Sequence, residues 1–242
     1  MAPASSPIEL AALEPAGLPR AEPAPPVGRG GPFGLAGADG GALSARWRGL
    51  QPTLELEAQM LARCRANPAI CPAAAATFNA VIEEARSRSG RARLGAVNRA
   101  VNLAIRWTSD LAQYGVTDIW ASPLMTFASG AGDCEDYAIA KYVALVQAGL
   151  PAEDLRLVLA HDRRENRDHM VAAARVDGDW LILDNRTMRL VADREVPDLA
   201  PIAALGGEPA TPATPAIVAA PDARRAAAPA AAWSTAGLAV VL

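Results

Sequence analysis

Residues 132–145 read GDCEDYAIAKYVAL, and the helical pattern continues to Gly149. Asp133 is a residue type that caps helix N-termini, while a glycine followed by a proline is typical of a helix end. The sequence therefore predicts one helix from Asp133 to Gly149, with Cys134 in its first turn. The helix dipole and the free main-chain N–H groups at that place favour a thiolate.

The acidic residues that follow Cys134 oppose this thiolate. Glu135 and Asp136 are negatively charged, and nearby negative charge raises the pKa of a thiol. A cysteine nucleophile at this position therefore needs an imidazolium or another cation beside it. Without one, Cys134 is an ordinary buried cysteine on the inner stripe of the helix, so both interpretations stay open at this point.

A histidine is the usual base for a cysteine nucleophile, and a third group must orient its ring. The chain contains two histidines. His161 ends one apolar run and enters the charged loop DRRENRD, which is typical of a solvated surface. His169 instead begins the apolar run HMVAAARV, which has the length of a β-strand. His169 is therefore the candidate base.

The candidate orienting group is Asp184, which ends the next apolar run, WLILD. The dipeptide Asp-Gly at positions 177–178, between the two runs, is a strong signal for a two-residue hairpin turn. With that turn, Asp184 pairs opposite Val171, diagonal to His169 on the same face and within side-chain reach. A three-residue loop would put the two side chains on opposite faces. The spacing thus predicts a His169–Asp184 pair on a hairpin.

The order of the elements indicates an α+β domain. Two helical periods precede the Asp133 helix, and three short apolar runs of strand length follow it. Helices followed by an antiparallel meander are typical of this class. We place the domain at residues 46–199, between a disordered Pro/Gly/Ala-rich tail at 1–45 and an Ala/Pro-rich low-complexity tail at 200–242. The helical periods consist of Phe78, Val81, Ile82 and Ala85, and of Leu94, Val97, Val101 and Ile105.

Composition and charge exclude several classes of function. Of the 242 residues, 51% are apolar and 20% are charged, so the chain can bury a core. Its 23 basic and 26 acidic residues give a net charge of −3, which offers no electrostatic reason to expect nucleic acid as a partner. No apolar run reaches the roughly 18 residues that a membrane span needs. The first residues, MAPASSPIEL, lack the basic and apolar segments of a secretory signal.

The cysteines predict one disulfide. Cys64 and Cys71 lie close together in CRANPAIC, and an odd total of three suggests one pair and one thiol with another role. A Cys64–Cys71 bond would stabilise the fold by roughly 2–3 kcal/mol and would indicate an oxidising compartment. Two reduced cysteines are the alternative. A metal site is not expected there, because no second ligand pair is present.

Three stretches of the chain together resemble a known family. They are GDCEDYAIAKYVAL (132–145), HMV (169–171) and LILDN (181–185). Their order of cysteine, histidine and aspartate is similar to that of the bacterial transglutaminase-like cysteine proteinases, which include the periplasmic LapG-type proteases. The resemblance covers residues 46–191 and extends to the shorter alphaproteobacterial-type members. It implies a papain-like, transglutaminase-type fold, with the Cys134 helix packed on an antiparallel sheet.

The resemblance implies a cysteine endopeptidase that works through an acyl-enzyme. In that interpretation Cys134 attacks the scissile carbonyl, His169 takes and returns the proton, and Asp184 holds the imidazole. Amide transfer through the same acyl-enzyme is an alternative, as is a catalytically idle binding domain.

The resemblance also implies calcium, a location and partners. Relatives bind calcium through acidic residues that flank the nucleophile, and Asp133 and Glu135 stand at the matching positions. Calcium takes oxygen ligands, and its charge would offset the carboxylates beside the thiol; helix capping by Asp133 is the other interpretation. Relatives cleave a large surface adhesin at an Ala-rich site under the control of a membrane-anchored cyclic-di-GMP receptor. We therefore expect a protein substrate, such a regulator, and a periplasmic or secreted location.

Overall fold

The computed structural model describes residues 30–35 and 41–207. The helices are α1 (Ala42–Ala66), α2 (Ala73–Arg86), α3 (Gly90–Ala104), α4 (Asp110–Tyr114), α5 (Pro123–Ser129) and α6 (Cys134–Gln147). The strands are β1 (Arg106–Trp107), β2 (Ala131–Gly132), β3 (Leu155–Asp162), β4 (Arg167–Val176), β5 (Asp179–Leu183), β6 (Val191–Ala192) and β7 (Leu199–Leu205). Short 3-10 helices occupy Pro32–Gly34, Pro68–Ile70, Ala152–Asp154 and Asp193–Glu195. The predicted α+β class is confirmed.

The first helices form one side of the core. Both helical periods found in the sequence bury their apolar stripes, since Phe78, Ile82, Leu94 and Val97 are all fully buried. Such one-sided burial is what stabilises an amphipathic helix in water. The two stripes pack against each other and against α6, which lies in the middle of the domain.

Helix α6 (Cys134–Gln147) begins where predicted and ends two residues before the predicted end at Gly149. Asp133 is the N-cap residue, and Gly149, with a φ of +90°, follows the helix end in the left-handed conformation. Most of the helix is buried, because α2 and α3 contact it on one side while β3 and β4 contact it on the other. This central position fixes the place of Cys134, its first residue.

The second layer is a five-stranded antiparallel sheet in the order β6-β5-β4-β3-β7. Its strands alternate between two apolar faces, as strand geometry requires when both faces are covered. The face toward α6 includes Leu157, Met170, Ala172, Ala174, Leu181 and Leu183. The outer face includes Val158, Val171, Ala173, Trp180 and Ile182.

The ends of the fold lie further out than the predicted domain of 46–199. Residues 42–45 belong to α1, and residues 200–205 belong to β7, so the prediction of disorder is wrong for them. It is also wrong for the 3-10 turn at 32–34, because Phe33 and Leu35 cover the outer face of the sheet. Residues 1–29, 36–40 and 208–242 of the two predicted tails lie outside the described part of the chain.

The cause of the error at the C-terminal end is a main-chain contact. Strand β7 pairs with β3 through main-chain hydrogen bonds, which do not require a distinctive side-chain pattern. Pro201 lies where the register of the two strands shifts, a place where a strand tolerates a missing N–H group. The Ala/Pro-rich composition therefore gave no signal for this edge strand.

The predicted disulfide and the predicted hairpin turn are both present. Cys64 and Cys71 form a disulfide that ties the end of α1 to the segment before α2, and Cys134 is a free thiol. The β4–β5 hairpin has the predicted two-residue turn, with Val176 paired to Asp179. No helix among residues 30–35 and 41–207 is both long and apolar enough to cross a bilayer.

Candidate active site

The Cys134 thiol is half-buried at the start of α6. Its sulfur donates a hydrogen bond to Glu135 Oε2 at 3.1 Å. Burial raises the pKa of the Cys134 thiol well above its ordinary value, and the charge and hydrogen bond of Glu135 raise it further. A main-chain hydrogen bond from Met170 acts in the opposite direction. In this arrangement the thiol is held protonated. As the sequence indicated, the acidic neighbours of Cys134 oppose the thiolate that the helix N-terminus favours.

His169 and Asp184 form the hydrogen-bonded pair that the hairpin predicts. Nε2 of His169 lies 3.0 Å from Oδ1 of Asp184, and both side chains are buried. The strand register explains this contact. Ala172 and Leu183 are the last paired residues at this end of β4 and β5, and Asp184 follows directly after Leu183. Asp184 therefore reaches back diagonally to His169.

The thiol and the histidine pair lie at the same end of the sheet. The sulfur of Cys134 reaches the main chain of Met170, the direct neighbour of His169, because α6 packs on β4. Over the described ranges, no hydrogen bond joins the thiol to the His169 ring. The structure thus brings His169 and Asp184 together, places Cys134 against the main chain of the residue next to His169, and turns the thiol toward Glu135.

Arg186 binds the carboxylate of Asp184, and no pattern in the sequence marked it for this role. Its Nη2 donates to Asp184 Oδ2 at 2.8 Å, and its main-chain N–H donates to Oδ1 at 2.9 Å. Burial alone raises the pKa of Asp184, but hydrogen bonds from His169 and Arg186 outweigh it and leave this pKa far below its ordinary value. Asp184 is therefore fully ionised.

An amine group and an amide group support the same loop. Lys141 is completely buried on α6, and its Nζ donates to the main-chain oxygen of Leu183 at 3.3 Å. Burial lowers the pKa of Lys141 to about 7, against the opposing attraction of Asp184. Asn102 on α3 donates to the main-chain oxygen of Asp184 at 3.0 Å. Lys141 lies seven residues after Cys134 and so on the same helix face, which is a signal that the sequence contained.

A second group of carboxylates surrounds the start of α6. Strands β1 and β2 pair in parallel, with Trp107 opposite Gly132, so the helices that follow them begin side by side. This brings Asp110, at the start of α4, next to Asp133. Carboxylate oxygens of Asp110, Asp133 and Asp136 lie within 4.8 Å of one another, as do those of Asp110, Asp118 and Glu135. We call these five residues the acidic cluster.

The acidic cluster is short of positive charge. Burial, followed by the hydrogen bond and charge of Asp133, raises the pKa of Glu135 to about 8. Burial raises the pKa of Asp136 to about 7, and it also raises that of Asp110. Among the described residues, Oδ1 of Asp110 and Oδ1 of Asp133 are buried without a hydrogen-bond partner. An oxygen-rich, negatively charged set of this kind fits a hard divalent cation such as calcium.

A cysteine at the start of a central helix, packed on an antiparallel sheet that carries a His–Asp pair, is the arrangement of papain-like thiol enzymes with a transglutaminase-type core. Residues 56–197 match the family model of the bacterial transglutaminase-like cysteine proteinases. The chain belongs to that family, and it is a cysteine peptidase of the transglutaminase-like type.

Solved structures of a relative agree with this assignment. LapG of Legionella pneumophila is 27% identical, with a TM-score of 0.51, over 64% of this chain and 84% of LapG. Calcium-bound LapG matches with the same identity and TM-score over 63% of this chain and 83% of that one. EGTA-treated LapG, again at 27% identity and a TM-score of 0.51, matches over 64% and 82%. A comparison with curated proteins found no match.

Proposed function

We propose that the protein is an endopeptidase in which Cys134, His169 and Asp184 form the catalytic triad. The observation that carries the proposal is the 3.0 Å hydrogen bond between His169 and Asp184, at the sheet end that Cys134 reaches. An ionised carboxylate at that distance fixes the ring and stabilises the imidazolium that forms during the reaction.

The geometry suggests how the proton moves. Because Nε2 of His169 is bonded to Asp184, the other ring nitrogen, Nδ1, takes the proton of the Cys134 thiol. The sulfur then attacks the scissile carbonyl, His169 returns the proton to the leaving amine, and water hydrolyses the thioester. The N–H of Cys134 has no partner within its own helix and is a donor for the developing oxyanion.

Before attack, the thiol must turn away from Glu135. A cation bound by the acidic cluster would release the thiol from Glu135. Asp110, Asp118, Asp133 and Glu135 supply the oxygens that would hold calcium. Bound calcium would supply positive charge that offsets these carboxylates, so that Glu135 no longer holds the thiol proton. The calcium-bound structure of LapG supports this proposal.

Hydrolysis is favoured over amide transfer because the matching family is one of proteinases. The same match, together with the His169–Asp184 bond, argues against an idle binding domain. The Cys64–Cys71 disulfide supports a periplasmic or secreted location, since such bonds persist in oxidising compartments. An Ala-rich surface adhesin as substrate and a membrane-anchored cyclic-di-GMP receptor as regulator remain predictions from the resemblance to LapG-type proteases.

The test is a comparison of cleavage products. Wild-type protein and Cys134→Ala are incubated with the surface proteins of the source cells, and new N-termini are mapped by mass spectrometry. We expect new termini with the wild type and none with Cys134→Ala or His169→Ala. His161→Ala is the matched control, because it removes the other histidine of the chain. The same termini produced by Cys134→Ala would overturn the proposal.

A further inference from the structure

We propose that Arg186 is a positioning residue that holds Asp184 against His169, and that Asp162 holds Arg186 in turn. This inference rests on the proposed function, because it assigns a role to residues that act through the triad. Neither Arg186 nor Asp162 contacts the reacting atoms in this scheme.

Arg186 occupies the side of the Asp184 carboxylate that His169 leaves free. Oδ1 accepts from both His169 Nε2 and the main-chain N–H of Arg186, at 3.0 and 2.9 Å. Oδ2 accepts from Arg186 Nη2 at 2.8 Å and from Nε at 3.1 Å. A guanidinium that grips one carboxylate through two nitrogens fixes its plane as well as its position. Asp184 needs this support because β5 ends one residue earlier, at Leu183.

Asp162 anchors the other side of the guanidinium. Arg186 Nη1 donates to Asp162 Oδ2 at 2.5 Å. Oδ1 of Asp162 is fixed in turn by the main-chain N–H groups of Arg164 and Glu165, at 2.8 and 3.1 Å. Asp162 is buried at the end of β3, so it offers a rigid base. The contacts run from β3, past β4, to the residue that follows β5.

The charges of this group also suit the mechanism. Asp162, Arg186 and Asp184 together carry one negative charge, which is what an adjacent imidazolium needs. Without the guanidinium, two carboxylates would face each other, and they would move apart. Glu165 lies 3.5 Å from Arg186 Nη1 and would add to that repulsion, while Lys141 attracts Asp184 from α6. Arg186 is thus the group that lets Asp184 stay ionised and in place.

The first test is kinetic, with a peptide that spans a cleavage site mapped for the wild type. We expect Arg186→Gln to lower kcat by about 100-fold with little change in KM, because the misplacement concerns the catalytic groups. Arg186→Lys should recover part of the lost kcat, since an ammonium keeps the charge but cannot bind both carboxylate oxygens through two nitrogens. Arg194→Gln is the matched control, because it removes an exposed arginine paired with Asp179 on the same sheet.

A double-mutant cycle separates positioning from a general structural role. If Arg186 acts through Asp184, then Arg186→Gln should cause no further loss in the Asp184→Asn background. Losses that multiply would overturn the inference, as would wild-type kcat in Arg186→Gln. The proposed function fails separately, when Cys134→Ala still cleaves the peptide.

A substrate-free measurement covers the case in which Arg186→Gln folds poorly. The ring proton between His169 Nε2 and Asp184 should give a low-field NMR resonance in Cys134→Ala protein. We expect Asp162→Asn, which keeps size and removes only charge, to weaken or abolish this signal. The ring of His161, which lies 3.0 Å from Asp168, is the internal control. A His169 resonance unchanged by both Asp162→Asn and Arg186→Gln would contradict the role of this chain of contacts.

Discussion

Two groups of carboxylates lie on either side of Cys134, and their charges are compensated to opposite degrees. Asp184 forms an ion pair with Arg186 and a hydrogen bond with His169, and its pKa lies far below the ordinary value. The acidic cluster holds five carboxylates, and the pKa of Glu135 rises to about 8. In the proposed function this difference has a direct meaning: Arg186 offsets the charge of Asp184, while the acidic cluster would take its positive charge from a bound cation.

The largest effect on kcat is expected for Asp184, whose charge Arg186 offsets. Asp184→Asn should lower kcat by about 10⁴-fold, because the amide cannot stabilise the imidazolium and favours the wrong tautomer of His169. Single-turnover cleavage of the mapped peptide measures this loss. The fold should persist, since an amide still accepts hydrogen bonds from Arg186. A mutant within tenfold of wild type would remove Asp184 from the triad.

On the cysteine side, calcium should raise stability. At a free concentration 100-fold above Kd, we expect about 2.7 kcal/mol, measured as a shift in Tm relative to chelated protein. Glu135→Gln should reduce or remove the shift, because it takes away a charged ligand. Glu84→Gln, which removes a carboxylate from an exposed ion pair with Arg88, is the control. An identical shift in Glu135→Gln and wild type would exclude Glu135 as a ligand.

The pH dependence of stability should differ between the two sides. Burial raises the pKa of Asp136 to about 7 and that of Glu135 to about 8, so the folded protein binds more protons than the unfolded chain above pH 4.5. Without calcium, the contribution of these groups should therefore fall as the pH rises from about 4.5 to 8. Saturating calcium should flatten this slope. Urea unfolding across that range, with and without chelator, measures it.

Asp184 should show the opposite sign. Its folded pKa is depressed, so the stability that it contributes is present above its ordinary pKa of about 4 and is lost as the pH falls further. The destabilisation caused by Arg186→Gln should accordingly be greater at pH 7 than at pH 3. An equal destabilisation at both pH values would show that Arg186 does not act on the Asp184 charge.

The sequence predicted the histidine side better than the cysteine side for a physical reason. His169 and Asp184 lie on one hairpin, and a local turn rule fixes their register. Asp110 and Asp133 meet only because the two-residue strands β1 and β2 pair in parallel, and strands this short leave no periodic signal. The role of Arg186 leaves no signal in the sequence for a related reason, since its partner Asp162 lies two strands away.

The smallest effect concerns Arg46, a cation that pairs with the acidic cluster. Arg46 on α1 forms an ion pair with Asp118, and both side chains are well exposed. Such pairs contribute at most about 1 kcal/mol, so Arg46→Gln should hardly change Tm in chelator. It should instead raise calcium affinity about twofold to fivefold, because Asp118 no longer has to exchange its guanidinium partner for the ion. Calcium titration followed by Tm or calorimetry measures this, with Arg48→Gln as a neighbouring control. A weaker affinity in Arg46→Gln would mean that Arg46 holds Asp118 in place for the cluster rather than competing for it.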